Sequence, residues 1–427
     1  MFTKTGITEG ITLYTRTTEQ FKTISFSVKF KTALTDEKAA ARAVLANILE
    51  DSNELYTNNG ELRRKLDDLY GTGLYTDVGK RGAMHFLTVN MECVNDEYLE
   101  EDAVLQEALE LMHSLIFKPN FVDGKFSESI VKREQKAVLE RIRSQFDNKT
   151  SYAQKRMLEQ LYPNEAVSIS ANGSETAVEK VTEEMLQVAY RSMLIEDTID
   201  LYVVGDIDEQ QMIDKMRELF ALKKRTSLPY DTFHAYGANV EKEPKNRKEQ
   251  LDMKQGKLHL AYSTPIHFKH PDYVKMQVLN GVFGGFAHSK LFMNVREKES
   301  MAYYASSSYA SHYGLMYVLA GIDAKLSEKA VSLIQEQLEA MKNGEISDLE
   351  MTQTKALLKN SIRSTFDSAR GQIEVFDQYK ELDETFTANT LIEQWEQVGK
   401  EELQEMAQLL RLEIIYLLYG EEEEADA

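Results

Sequence analysis

The feature that most restricts the fold of this 427-residue chain is an internal duplication. The segment ELRRKLDDLYGTGLYTDV, which begins at Glu61, aligns with KLFMNVREKESMAYYASS, which begins at Lys290, and the apolar residues stay in register. The ends of the two copies also agree, LYVVGD at 201–206 with IYLLYG at 415–420. A repeated supersecondary unit predicts two related domains rather than one continuous core.

The order of elements is the same in both copies. Alternating runs at 23–33 and 257–264 predict a strand at the start of each copy, followed by amphipathic helices and a pair of antiparallel strands. In the first copy we expect long helical stretches at 97–117 and 127–162 and a further helix at 182–193. Each copy is therefore predicted to be an antiparallel-rich sheet with helices, which is an α+β fold.

The segment between the copies has a different composition. Residues 223–256 are rich in Lys, Asn, Glu and Pro and lack periodicity, which is typical of a linker. The predicted organisation is an N-terminal domain at 1–222, this linker, and a C-terminal domain at 257–427.

Composition excludes several classes of function. Lys and Arg number 50 against 70 Asp and Glu, a net charge of −20, which argues against a nucleic-acid partner. No window approaches the roughly 18 apolar residues of a membrane helix, and the N-terminus has no apolar signal core. The single cysteine, Cys93, excludes an internal disulfide and a cysteine-based metal site. We expect a cytoplasmic protein without a membrane span.

A motif in the second copy carries a specific resemblance. The segment FMNVREKESMAY, Phe292–Tyr303, follows a glycine-rich turn at Gly281–Phe286. Together with the duplicated layout, it resembles the insulinase/pitrilysin-type zinc peptidases over essentially the whole chain. The resemblance implies two halves that close like a clamshell around a peptide. It also implies that Gly284 and Gly285 help to bind the substrate.

The same resemblance assigns roles to an arginine and a tyrosine. In the family, the residues matching Arg296 and Tyr303 contact the substrate backbone and help to stabilise the oxyanion of the tetrahedral intermediate. A guanidinium and a phenol are suited to this, because both donate directed hydrogen bonds to an oxygen. Tyr304 competes with Tyr303, since adjacent residues of a strand face opposite ways. Ser300 stands where the family has a glycine, which can supply a positive φ.

The zinc site that accompanies this motif in active members is degenerate. Those members carry H-x-x-E-H on a helix, which places two imidazoles and a catalytic glutamate on one face. Here Asn47 and Asp51 replace the histidines, and only Glu50 remains, as a vestigial base. The third ligand position falls on Arg141, whose permanent charge repels a metal ion, although a shift of one residue would place Glu140 there. We therefore expect no metal or other cofactor in this chain.

Three hypotheses follow. The favoured one is a catalytically inactive subunit of a bacterial two-subunit zinc peptidase, which binds peptide and lends Arg296 and Tyr303 in trans to a homologous zinc-bearing subunit. The partner would then hold the zinc, with a homodimer as the state of the isolated chain. A second is a non-enzymatic peptide-binding or scaffold protein. A third is a self-sufficient metallopeptidase using Glu50 and Asp51, which is disfavoured because adjacent helical carboxylates point about 100° apart.

Overall fold

The computed structural model describes residues 1–100, 104–222, 224–230 and 243–420. These residues form two compact units. The first comprises Met1–Ser144, Ile169–Thr232 and Phe366–Thr385, and the second comprises Gln145–Ser168, Phe233–Thr365 and Phe386–Ala427.

The strands, in chain order, are β1 Thr3–Thr8, β2 Ile11–Thr17, β3 Thr23–Ala33, β4 Gly73–Arg81, β5 Met84–Val94, β6 Phe121–Val122, β7 Lys125–Phe126, β8 Thr198–Gly205, β9 Lys245–Gln250, β10 Gly256–Ser263, β11 Ala302–Ala310, β12 Leu315–Ile322 and β13 Arg411–Tyr419. The α-helices are α1 Asp36–Asp51, α2 Asn59–Asp68, α3 Val104–Phe117, α4 Glu128–Ser144, α5 Lys149–Leu161, α6 Glu175–Glu179, α7 Glu183–Ile195, α8 Glu209–Phe220, α9 Tyr273–Asn280, α10 Ser327–Lys342, α11 Asp348–Thr365, α12 Ala369–Tyr379, α13 Ala388–Gln397 and α14 Lys400–Gln408. Two π-helical segments, Gly281–Gly285 and Leu291–Lys298, lie between α9 and β11.

The two main sheets confirm the duplication and the α+β class. The first sheet has the order β1-β2-β8-β3-β5-β4, and the second has the order β11-β12-β10-β13-β9. When the first order is read from β4 and the second from β11, the strands β4, β5, β3, β8 and β2 correspond to β11, β12, β10, β13 and β9. Each contains one parallel pair, β2 with β8 and β9 with β13, among antiparallel neighbours. Among the described residues, the second sheet has no strand that corresponds to β1.

The central strand β3 shows how each sheet is buried on both faces. Phe26, Val28 and Phe30 belong to the main apolar core of the first unit, together with residues of α1. The alternate residues Lys29 and Lys31 are also buried, because α12 covers that face of the sheet. The alternating pattern therefore marks a strand between two different layers, one apolar and one ionic.

Three predicted segments differ from the structure. The helix predicted at 97–117 is present as α3 from Val104 onwards, with a short 3-10 turn at Asp96–Tyr98 and with residues 101–103 outside the described residues. Residues 245–250 of the predicted linker form β9, whose polar sequence KNRKEQ is compatible with an edge strand that pairs on one side only. The predicted helix at 127–162 is two helices, α4 and α5, separated at residues 145–148, where the Asn148 side chain accepts a hydrogen bond from the backbone N–H of Ser151.

The compact units also depart from the predicted contiguous domains. Residues 145–168, which include α5, belong to the second unit, where α5 packs on β10 and β13. Residues 366–385, which include α12, belong to the first unit, where α12 packs on β3 and β8. Each half of the sequence thus supplies one helix to the unit formed mainly by the other half.

Candidate functional site

Arg296 lies on the π-helical segment Leu291–Lys298 of the second unit, which packs against β11. Its guanidinium carbon is 4.5 Å from the ring centroid of Phe292, a cation–π distance, and its Nε lies 3.6 Å from Oε1 of Glu297. The side chain is partly exposed. π-Helical turns are rare and often occur at functional sites, because they re-aim side chains.

Tyr303 lies at an irregularity near the start of β11. Ala302 pairs with Ile322 and Tyr304 pairs with Gly321, so Tyr303 is an extra residue in the ladder, a β-bulge. Its side chain is 70% exposed, and its hydroxyl forms no hydrogen bond with the described residues. A bulge next to an edge position turns a side chain out of the sheet, which leaves this phenol available to a ligand.

Tyr304, the competing tyrosine, has a packing role. Its hydroxyl lies 2.9 Å from Oγ1 of Thr150 on α5, and burial raises the pKa of the phenol. Its ring rests on Gly321, where a Cβ would come within 2.5 Å of the ring. Tyr304 is therefore held within the second unit, whereas Tyr303 is free to meet solvent or substrate.

The glycine-rich turn is helical rather than an open connection, because Gly281–Gly285 continues α9 as a π-helix. Gly284 is buried, and a Cβ there would lie 2.5 Å from the backbone nitrogen of Ser307. The identity of this residue is thus explained by close packing on β11. Gly285 is exposed, so of the two glycines it is the one that a ligand can reach.

In the first unit, the degenerate zinc positions are joined by a hydrogen bond to an arginine. Nη2 of Arg141 donates to Oδ1 of Asn47 over 2.8 Å, and Nη1 of the same side chain donates to Oδ1 of Asn172 over 3.3 Å. The contact brings together the two helices on which the ligand positions were predicted. The alternative residue, Glu140, is largely exposed and lies 3.7 Å from Lys136.

The two carboxylates beside Asn47 are also engaged. Asp51 forms an ion pair of 2.6 Å with Nη2 of Arg133, two helical turns before Arg141 on α4. Glu50 accepts hydrogen bonds from the backbone N–H and the hydroxyl of Thr76 and pairs with Arg63 at 3.3 Å.

These residues do not fit a zinc ion. Two guanidinium groups contact Asn47 and Asp51, the predicted positions of the imidazoles, and would repel a cation. The described residues also contain no group of three or more His, Cys, Asp or Glu side chains able to hold a metal.

Two contacts were not predicted, although the spacing offered a signal for both. Phe292 precedes Arg296 by four residues, the separation at which side chains on a helix meet. Arg133 precedes Arg141 by eight residues, so both lie on one face of α4.

Separately, none of the helices in the described ranges is long and apolar enough to cross a membrane.

Comparison with known proteins agrees with this geometry. A model of the family described as "Peptidase M16 inactive domain" matches residues 180–358. The "Probable inactive metalloprotease YmfF" of Bacillus subtilis is 36% identical over 414 residues, which cover 97% of this chain and 96% of that protein.

Solved structures show the same fold. The crystal structure of a conserved protein from Enterococcus faecalis has a TM-score of 0.91 and 35% identity, covering 98% of this chain and 99% of the other. A structure described as a peptidase M16 inactive domain, from Pseudomonas fluorescens, has a TM-score of 0.80 at 17% identity, covering 99% and 98%. The family resemblance seen in the sequence is thereby confirmed. This chain belongs to the insulinase/pitrilysin-type peptidase M16 family, as an inactive-type homologue of its metallopeptidases.

Proposed function

We propose that this chain is the non-catalytic subunit of a two-subunit zinc peptidase, in which it binds peptide and supplies Arg296 and Tyr303 to the active site of a homologous zinc-bearing subunit. The observation that carries the proposal is the contrast between the two halves of the family's active site. The position of the metal is filled by arginine contacts, whereas the tyrosine is exposed and its hydroxyl has no partner among the described residues.

The chemistry asked of this chain is hydrogen bonding to oxygen. The guanidinium of Arg296 donates N–H groups to a backbone carbonyl of the peptide, and the phenol of Tyr303 donates its O–H to the oxygen that becomes negative during attack on the scissile bond. Both groups act only as hydrogen-bond donors in this role and need no proton exchange. Zinc and the attacking water belong to the partner.

A preorganised arginine suits this role. Stacking on Phe292 limits the rotamers of Arg296 before substrate arrives, so less side-chain entropy is lost on binding. The exposed Gly285 would lie beside the peptide main chain, as the family resemblance implies.

The test is reconstitution with a zinc-motif homologue encoded beside this chain. Peptide hydrolysis should need both proteins. Arg296→Ala and Tyr303→Phe should each lower kcat/KM by about 10²–10³-fold, the usual effect of removing one oxyanion donor. Analytical ultracentrifugation should show that complex formation is unchanged in both variants.

Tyr304→Phe is the matched control, because it removes the neighbouring hydroxyl, which bonds to Thr150. It should leave turnover within about twofold of the wild-type complex. Unchanged turnover in Arg296→Ala, with assembly intact, would contradict the in-trans role and favour a peptide-binding scaffold. Zinc-dependent turnover by the isolated chain would contradict the proposal altogether.

A further inference from the structure

A cavity of about 330 Å³ lies between α1 and α7 in the first unit. Its walls are mainly apolar and include Ala41 of α1 and Met185, Val188 and Ala189 of α7. The three α7 residues fall on one helical face by their spacing of three and four. Val188 is 66% exposed, so the cavity opens to solvent beside an uncovered apolar side chain. The volume lies within the range of small-ligand sites.

A buried carboxylate also lines this cavity. Asp197 is only 2% exposed, and its Oδ2 accepts a hydrogen bond of 2.6 Å from Nη1 of Arg42. Its second oxygen, Oδ1, accepts no hydrogen bond from any described residue. Burial raises the pKa of Asp197 to about 6 in spite of the neighbouring Arg42. This carboxylate is therefore short of hydrogen-bond donors, and a donor brought in by a ligand would stabilise its charge.

The other nitrogens of Arg42 are directed to different acceptors. Nε donates to Nδ1 of His85 over 3.1 Å, and Nη2 donates to the carbonyl oxygen of Phe30 over 2.7 Å. Arg225 donates from Nη2 to the backbone carbonyl oxygen of Asp197, and a further cation, Lys38, lines the cavity. Its Nζ is directed to Oγ1 of Thr32, 3.5 Å away, and forms no ion pair with Asp197 in the described structure.

The side chains that line the cavity carry a small excess of negative charge. The lining carries three carboxylates, those of Glu37, Glu184 and Asp197, against the two cations of Lys38 and Arg42, which leaves one excess negative charge. Because the walls are apolar, a ligand that neutralises this charge must also bring apolar surface. An ion without an alkyl chain would leave these apolar walls in contact with water.

We propose that this cavity is a binding site for an alkylammonium group, whose ammonium donates to Oδ1 of Asp197 and whose alkyl chain lies on Met185, Val188 and Ala189. The same chemistry comes from a free hydrophobic amine or from a lysine side chain of another protein. This site is independent of the proposed role of Arg296 and Tyr303.

The test uses the full chain labelled with ¹³C at its Met and Val methyl groups. Hexylammonium should shift the Met185 and Val188 signals in a saturable way. Hexanol, which has the same chain without the charge, should bind at least about tenfold more weakly, because a charge-assisted hydrogen bond is lost. Hexanoate should cause no shift. A blocked Ala-Lys-Ala peptide identifies the source: tighter binding than hexylammonium indicates a lysine side chain, and weaker binding indicates a free amine.

Two variants locate the site. Ala189→Phe fills the cavity from α7 and should abolish the response, whereas Arg191→Phe adds the same ring at an exposed position of that helix and should not. Asp197→Asn should lower hexylammonium affinity at least about tenfold. Since that change also leaves Arg42 without its counterion, Ala189→Phe is the decisive variant. Equal binding of hexanol and hexylammonium, or an unchanged response in Ala189→Phe, would overturn the proposal.

Discussion

At the scale of single residues, Ser300 has a backbone conformation that does not suit it. It adopts φ 50°, in the left-handed region, at the turn between the π-helical segment Leu291–Lys298 and β11. This conformation is unfavourable by roughly 1 kcal/mol for a residue with a Cβ, but not for glycine. We predict that Ser300→Gly raises the free energy of unfolding by about 0.5–1 kcal/mol in urea denaturation.

The control for this prediction is Ser308→Gly, in the exposed part of β11. Its φ is not positive, so glycine adds only unfolded-state entropy and should destabilise by about 0.5–1 kcal/mol. If both substitutions changed stability in the same direction, the conformational argument for Ser300 would fail.

The lost zinc site provides a second prediction. Asn47→His with Asp51→His should not create tight zinc binding, because the guanidinium of Arg141 still lies at the third ligand position, 2.8 Å from the side chain of residue 47. Adding Arg141→Glu removes that charge and supplies a carboxylate. Calorimetric zinc titration should then give an affinity at least about 100-fold above that of the double variant.

For the triple variant, the matched control is Arg141→Gln in place of Arg141→Glu, which removes the charge without supplying a ligand. It should bind zinc more weakly than the glutamate variant. Tight zinc binding by the double variant alone would show that Arg141 does not occupy the ligand position.

The residues of the candidate site differ in how far sequence alone could reveal them. The motif drew attention to Arg296 and Tyr303, and helical spacing could have added Phe292. The bulge at Tyr303 could not be read from the sequence, because it depends on how β11 pairs with Gly321 and Ile322 far along the chain. Because of that pairing, the side chain of Tyr303 is exposed whereas that of Tyr304 is partly buried.

At the scale of elements, α12 is fixed to the first sheet by buried charges. Asp377 accepts from Nζ of Lys31 at 2.6 Å, from Nζ of Lys29 at 3.0 Å and lies 3.1 Å from Nη2 of Arg81. Burial acts to raise the pKa of Asp377, but these cations and Lys380 outweigh it and hold the pKa well below its ordinary value. The ionic layer therefore combines Asp200 of β8 with carboxylates supplied from the C-terminal half of the chain, chiefly Asp377 and, at Lys29, Glu374.

We predict that Asp377→Asn destabilises the protein by about 3–5 kcal/mol, because it removes the carboxylate shared by the buried cations Lys29, Lys31 and Arg81, of which Lys31 keeps Asp200 and Lys29 keeps Glu374. The contribution of a carboxylate with a lowered pKa is present above its unfolded pKa and is lost as the pH falls through the folded one. The difference in free energy of unfolding between wild type and variant should thus decrease only below pH 3.8, the ordinary pKa of Asp. Denaturation curves at several pH values measure this.

Asp348→Asn is the control for Asp377→Asn. Asp348 is 95% exposed and pairs with Lys400 at the surface, so its loss should cost less than about 1 kcal/mol. A cost for Asp377→Asn as small as this would mean that the ionic layer does not hold α12.

Most elements that the sequence predicts have an apolar pattern, whereas β9 and the break between α4 and α5 give no such signal. The strand β9 has only polar residues, and its conformation comes from pairing in parallel with β13. The break between α4 and α5 falls at residues 145–148, which are polar apart from Phe146, and helical periodicity continues on either side. Long-range pairing rather than local preference decides the structure of β9, whereas the break has a local cause in the N-cap residue Asn148.

At the scale of the whole molecule, the duplication is combined with an exchange of helices. The first unit takes residues 366–385 from the second copy, and the second unit takes residues 145–168 from the first. Sequence periodicity can reveal a repeat, but not which copy a helix packs on, because α5 and α12 have amphipathic patterns compatible with either sheet. The contiguous boundaries at 222 and 257 therefore describe the repeat and not the packed units.

This exchange predicts that the halves cannot fold alone. A fragment of residues 1–222 lacks α12, so Lys29, Lys31 and Arg81 would face water or an apolar gap without Asp377, and the apolar contacts of Ile373 and Phe376 would be lost. We expect each fragment, 1–222 and 223–427, to show broad, poorly dispersed NMR spectra and no cooperative melting. Co-expression should restore one cooperative transition, since each fragment then receives its missing helix.

A further variant separates exchange from mere fragment instability. Co-expressed fragments with Asp377→Asn should assemble at least about tenfold more weakly than the wild-type pair, whereas fragments with Asp348→Asn should assemble normally. The reason is that Asp377 is the carboxylate of the other fragment that contacts both Lys29 and Lys31, whereas Glu374 pairs with Lys29. A well-folded, cooperatively melting 1–222 fragment would mean that the first sheet can cover its ionic face without α12, and that the exchanged helices are an addition to the domains rather than part of them.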